Sequence, residues 1–144
     1  MAVRRFCGDR SLTNADLQEL FSAPPASFHW SQSVNGWRAI GSSEGAILDI
    51  WPDHAELTAT FPPDNAELAA RNGTLMQLLL VALRPEWQSG SAWLSNHMRM
   101  AARSRRNEYE VFNYSRGVRF RYDREHSKAA LRITTSGPSN QNNA

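Results

Sequence analysis

Between Leu75 and Leu83 the chain reads LMQLLLVAL, and Gln77 is its only polar residue. Leu75, Met76, Leu78, Leu79, Leu80, Val81 and Leu83 cover nearly every direction around a helix, and a helix apolar all round is buried on more than one side. The run is far shorter than the ~20 residues needed to cross a bilayer. Pro62-Pro63 closes whatever precedes it. Asp64 is the expected cap, with Glu67 at capping-box spacing. Arg84 suits a helix C-terminus and Pro85 cannot continue a helix. Asn72-Gly73 is the point at which the helix is expected to kink or split. The pattern predicts a helix over Asp64 to Leu83, with a sheet on one side and a second helix or a partner chain on the other.

Upstream, Ser11 to Ser22 predicts a short helix capped by Thr13, with Asp16 at the capping-box position and a Leu12–Leu17 staple. Pro24-Pro25 ends it. Phe28 to Gly36 mixes aromatic and polar residues and yields no assignment. Three strand-like runs follow: Gly36 to Ser42, Gly45 to Trp51 and Ala55 to Phe61. In the last, Leu57, Ala59 and Phe61 alternate with Glu56, Thr58 and Thr60, the period of a half-buried antiparallel strand. The linkers between the runs are hairpin-length and rich in turn residues.

Downstream, a second helix is expected from Ala92 to about Arg105, with Trp93, Leu94, His97, Met98, Ala101 and Ala102 on one face. Tyr109 to Tyr114, Val118 to Asp123 and Ala129 to Thr134 are further strand candidates. The order predicts an α+β fold: one antiparallel sheet of about five to six strands, a three-stranded meander plus a C-terminal hairpin, with two to three helices packed on one face. Residues 1–10 are expected to be a flexible leader, residues 11–135 a single domain, and residues 136–144 a disordered polar tail.

The 144 residues suffice for one domain, and a 41% hydrophobic content with five Trp indicates a folded globule. A single cysteine, Cys7, excludes an intramolecular disulfide framework and fits a reducing compartment. With no apolar segment after Arg4-Arg5 to serve as an export signal, a cytoplasmic location and no membrane association are expected. Net charge is only +2, but it is unevenly spread. Seven acidic residues face three basic ones between Ser33 and Gly90, and ten basic face four acidic between Ser91 and Thr135. The simpler reading is attraction between the two halves; the sharper one is an anion-binding surface.

Catalytic and metal-binding patterns are missing. His29, His54, His97 and His126 are isolated, no HxxxH or CxxC spacing occurs, and no glycine motif suits a phosphate. Neither metal nor cofactor is expected. His97 reads as a core or interface histidine, and Asp49 as a carboxylate on the solvent face of its strand. Leu78, Leu80, Val81, Trp87 and Trp93 are the candidate interface residues, since aromatic and apolar anchors dominate protein contacts. The leading expectation is a non-enzymatic, dimeric, chaperone-like adaptor that binds another protein or a second copy of itself. The layout of helix, meander, helices and closing hairpin is similar to that of small secretion-chaperone and adaptor domains, a likeness of architecture without a quotable motif. The alternative is nucleic-acid binding. Arg119, Arg121 and Arg132 project from one face of the C-terminal hairpin, Arg116 and Lys128 stand at its ends, and Phe112 and Tyr114 lie beside it to stack on bases. Cross-strand pairing with Glu108 and Glu110 would neutralise much of that charge. A small enzyme whose residues converge only in space is the third reading.

Overall fold

A computed structural model describes residues 14–23, 27–34, 36–41 and 45–134. The expected leader, the polar tail, Cys7 and the Thr13 cap with its Leu12 staple lie outside the described residues. Seven strands form one sheet: β1 (His29–Ser33), β2 (Gly36–Ile40), β3 (Ile47–Ile50), β4 (His54–Thr60), β5 (Glu108–Asn113), β6 (Val118–Asp123) and β7 (Lys128–Thr134). Their spatial order is β1-β2-β3-β4-β7-β6-β5, antiparallel throughout. Two meanders, β1–β4 and β5–β7, therefore meet along one seam, where β4 and β7 pair from His54↔Thr134 to Thr60↔Lys128.

The class is the expected α+β, with one strand more than the pattern indicated. That strand is β1, whose HWSQS has no apolar alternation. Its place comes from pairing with β2, Trp30 opposite Ala39 and Gln32 opposite Trp37, so the partner and not the local pattern makes it a strand. Elsewhere period two holds. Ala55, Leu57 and Ala59 of β4, Leu48 and Ile50 of β3, Val118 and Phe120 of β6, and Leu131 and Ile133 of β7 are buried on one face.

Three helices cover that face: α1 (Asn14–Ser22), α2 (Ala66–Leu83) and α3 (Gly90–Arg103). Leu17 and Phe21 of α1 are buried, with Phe21 edge-on to Phe28 at 5.5 Å. α2 lies over β4 and β7 and against α3. Its cap is Asn65 and not Asp64. A turn closed from Pro62 O to Asn65 N at 3.3 Å takes up Asp64, and Asn65 Oδ1 accepts from Leu68 N at 3.1 Å. α2 is also unbroken at Asn72-Gly73. Asn72 is buried and donates to Thr60 O at 2.8 Å, tying the helix to the end of β4. Gly73 brings the helix close to Phe61 and Met98. The pair that weakens helix propensity is held by tertiary contact, which outweighs a propensity deficit of about 1 kcal/mol.

Arg84 clasps the far end of α2. Its Nη1 donates to Leu83 O at 2.7 Å, Nε to Arg116 O at 2.6 Å, and Nη2 to Thr134 O at 2.9 Å and Thr134 Oγ1 at 3.0 Å. One guanidinium thus joins the helix C-terminus to the β5–β6 turn and the end of β7. Burial pushes its pKa below the usual arginine range, yet four oxygen acceptors and the negative end of the helix dipole favour the charged form. Gly117 completes the clasp. Its φ of +66° is in the left-handed region, and a Cβ there would collide with the Thr134 hydroxyl beside Arg84. Replacing Arg84 with Met leaves the Arg116 and Thr134 carbonyls without donors and is expected to destabilise the fold by about 3 kcal/mol in urea unfolding. A loss below about 0.5 kcal/mol would show that the clasp is not structural.

Candidate interaction surface

The helices leave the second face of the sheet bare among the described residues. Strand register lines up one row across it: Ser31, Arg38, Asp49, Glu56, Arg132, Arg119 and Phe112, one residue per strand from β1 to β5 in spatial order. The sign changes at the seam. Two carboxylates, Asp49 and Glu56, stand on its β4 side, with the Arg38 guanidinium beyond them on β2, and two guanidiniums, Arg132 and Arg119, stand on its β7 side.

Part of this row is satisfied internally. Arg38 grips Asp49 with both ends of its fork, Nε to Oδ1 at 2.7 Å and Nη2 to Oδ2 at 3.1 Å. Arg119 Nη2 donates to Glu56 at 3.0 Å, and its Nη1 lies 3.8 Å from Glu110. Arg119 Nε is buried with no acceptor. Arg121, Lys128 and Arg132 are exposed and have no ion pair within 4.0 Å among the described residues. The Arg38–Asp49 pair is exposed, and such pairs contribute about 0–1 kcal/mol each, whereas the Arg119–Glu56 pair is part-buried. Apolar side chains flank it. Ile40 is 57% exposed, Phe112 44% and Tyr114 83%, and the last two rings stack nearly parallel with centroids 5.1 Å apart. Asp49 lies on the solvent side of its strand, as its alternation with Leu48 and Ile50 indicated.

The candidate interface residues on α2 and the following loop are placed differently. Leu80 is 1% exposed and belongs to the core. Leu78 packs against that core, and only Val81, 51% exposed, faces outward. Of the two expected covers for the second flank of α2, a second helix or a partner chain, the structure shows the helix: α3 lies there, with Gln77 Nε2 donating to Ser91 O at 3.1 Å and Ser95 Oγ at 2.9 Å. Trp87 and Trp93 are half-buried against each other, with centroids 5.3 Å apart. Arg116 leaves the basic face altogether. Its guanidinium sits 5.4 Å over the Trp87 ring and 3.5 Å from Glu86. The basic candidates that stay on the open face are Arg119, Arg121, Arg132 and Lys128, interleaved there with Glu56, Glu108, Glu110 and Asp123.

The histidines do not converge. His54 bonds Asp53 at 2.7 Å and stacks on Trp51, while Asp49 is held by Arg38. His97 Nδ1 and the Tyr109 hydroxyl share a hydrogen bond of 2.6 Å, with Trp93 packed on the imidazole. His126 bonds Asp123 at 2.7 Å in the β6–β7 turn. Among the described residues no group of three His, Cys, Asp or Glu is placed to hold a metal ion, and no helix is long and apolar enough to cross a membrane. Sequence reading missed the His97–Tyr109 pair because it joins a helix to a strand. The one available signal was a histidine on the apolar face of its helix. No protein-family model, curated protein or solved structure matches this chain.

His97 and His126 titrate on opposite sides of the ordinary value of 6.5. Burial lowers His97, whereas the hydrogen bond and charge of Asp123 raise His126. For His97 the unfolded chain takes up the proton first, so stability is lost as pH falls through about 6.5. For His126 the sign is reversed: its contribution is present below that pH and is lost as pH rises through the folded pKa. A histidine NMR titration is expected to separate the two, and His97→Gln is expected to retain more stability than wild type on going from pH 7 to pH 5. Equal pKa values for the two rings would contradict this.

Proposed function

We propose that the protein is a non-enzymatic interaction module that works through the open face of its sheet, and that the partner on that face is a second copy of the chain. The observation that carries this reading is the change of sign across the β4–β7 seam, from Asp49 and Glu56 to Arg132 and Arg119. A two-fold axis running along the β4–β7 seam, parallel to the strands and between two facing sheets, sets each half of one sheet over the opposite half of the other. Glu56 then faces Arg132 of the partner copy, Asp49 faces its Arg119, and Arg38 faces its Phe112 ring. Such an isologous contact is self-complementary.

The size is adequate. Seven strands spaced about 4.8 Å, with about 3.4 Å per residue along each, give a face of roughly 600 Å². Two such faces approach about 1,200 Å², the lower end for a specific interface. Binding of single-stranded nucleic acid is the second reading, favoured by the stacked Phe112–Tyr114 pair beside Arg119 and Arg121. Four carboxylates interleaved with the basic residues weigh against it, because each repels phosphate.

Light scattering on the eluting protein at about 50 µM is expected to give twice the chain mass. Arg132→Glu or Glu56→Arg alone is expected to weaken the dimer by about tenfold or more, since each places like charges opposite one another. The double exchange Glu56→Arg with Arg132→Glu is expected to restore it. A monomer at that concentration, or a dimer indifferent to both single changes, would overturn the proposal. Anisotropy titration with single-stranded oligonucleotide at low salt separates the second reading.

A further inference from the structure

Between the first turns of α2 and the last turns of α3, over the β6–β7 turn, lies an open cleft of about 350 Å³. Its walls are alanines where helix packing usually has larger side chains: Ala66 and Ala69 on α2, Ala101 and Ala102 on α3. Phe120 and Tyr122 form its floor. The space follows from sequence, because small side chains on both facing helices leave part of the layer between them unfilled. Lining is apolar apart from Arg124, Ser127 and the Tyr122 hydroxyl, and no acidic residue lines the cleft.

Arg124 is held in place by the end of α3. Its Nε donates to Arg106 O at 3.3 Å, and its Nη2 to Ala102 O at 3.3 Å and Ala101 O at 3.4 Å. Those bonds use one edge of the guanidinium and leave Nη1 without a partner among the described residues. The Tyr122 hydroxyl likewise has none. An oriented cation and a free phenol over an apolar, alanine-walled space match one ligand chemistry: an apolar body ending in one carboxylate. The volume takes about ten non-hydrogen atoms of such a body.

We propose that this cleft binds a small apolar monocarboxylate of the medium-chain fatty acid type, with its carboxylate on Arg124 Nη1 and the Tyr122 hydroxyl and its chain between Ala69 and Ala102. The site is separate from the open sheet face and does not depend on the dimer. Its test is calorimetric titration of the full chain with decanoate, and in parallel with decan-1-ol, which has the same body without the charge. Decanoate is expected to bind one per chain with Kd below about 1 mM, at least about tenfold tighter than the alcohol. Ala69→Phe and Ala102→Phe fill the cleft from opposite walls and are each expected to abolish binding. Ala102 is exposed, so its variant retains the fold if the Ala69 variant does not. Arg124→Gln is expected to bring decanoate to the level of the alcohol, with alcohol binding unchanged. No saturable decanoate binding, equal affinity for acid and alcohol, or undiminished binding to a folded Ala102→Phe variant would each overturn the assignment.

Discussion

α2 carries apolar side chains in nearly every direction, and the fold is built around covering them. The β4–β7 seam takes one side, through the alanines and leucines that face α2 from both strands. α3 takes a second side, held by Gln77 to its first turn. Arg84 and Asn72 fix the two halves of the helix to backbone carbonyls of the sheet. Neither polar group adds much net energy alone. Both, however, are tied to carbonyls that would be left unpaired in any other docking of the helix, and so they select one arrangement among several of similar apolar burial.

Covering α2 within the chain decides where a partner can act. Its apolar surface is used up by its own sheet and by α3, except around Val81. Among the described residues, what stays uncovered is the opposite face of the sheet, where the charged side chains change sign at the β4–β7 seam and are partly neutralised. In the face-to-face dimer we propose, the change of sign across the seam specifies which surface lies against it and in what orientation. The cleft between the start of α2 and the end of α3 arises differently, from alanines that leave the helical layer under-filled.

Much of the architecture was legible in the sequence, because period-two alternation in β3, β4, β6 and β7 and the apolar run of α2 state burial directly. β1 was not legible, since a polar edge strand is defined by its neighbour. The Asn65 cap was displaced by one residue from Asp64, because a turn after Pro62 takes up the aspartate. The anion and cation sides of the open face were visible as an imbalance between halves of the chain. Their alignment into a single row was not, because β4 and β7 are brought together across some seventy residues of intervening chain. Leu80 and Arg116 looked available in the sequence and are engaged in the fold, one by the core and the other by Trp87. Both engagements depend on long-range packing, which periodicity cannot report.

The most direct probe of a face-to-face dimer is a nitroxide at Val34, a 95% exposed turn residue at the rim of the sheet. The label would be attached to a Val34→Cys, Cys7→Ser chain and mixed with isotope-labelled, nitroxide-free chains. The two-fold axis along the β4–β7 seam brings the β1–β2 turn of one copy over the β5–β6 turn of the other. Intermolecular broadening is therefore predicted at Tyr114 to Gly117 and the end of β5. Broadening confined to α2 and α3, or none at a concentration where the chain is dimeric, would contradict docking through the open face.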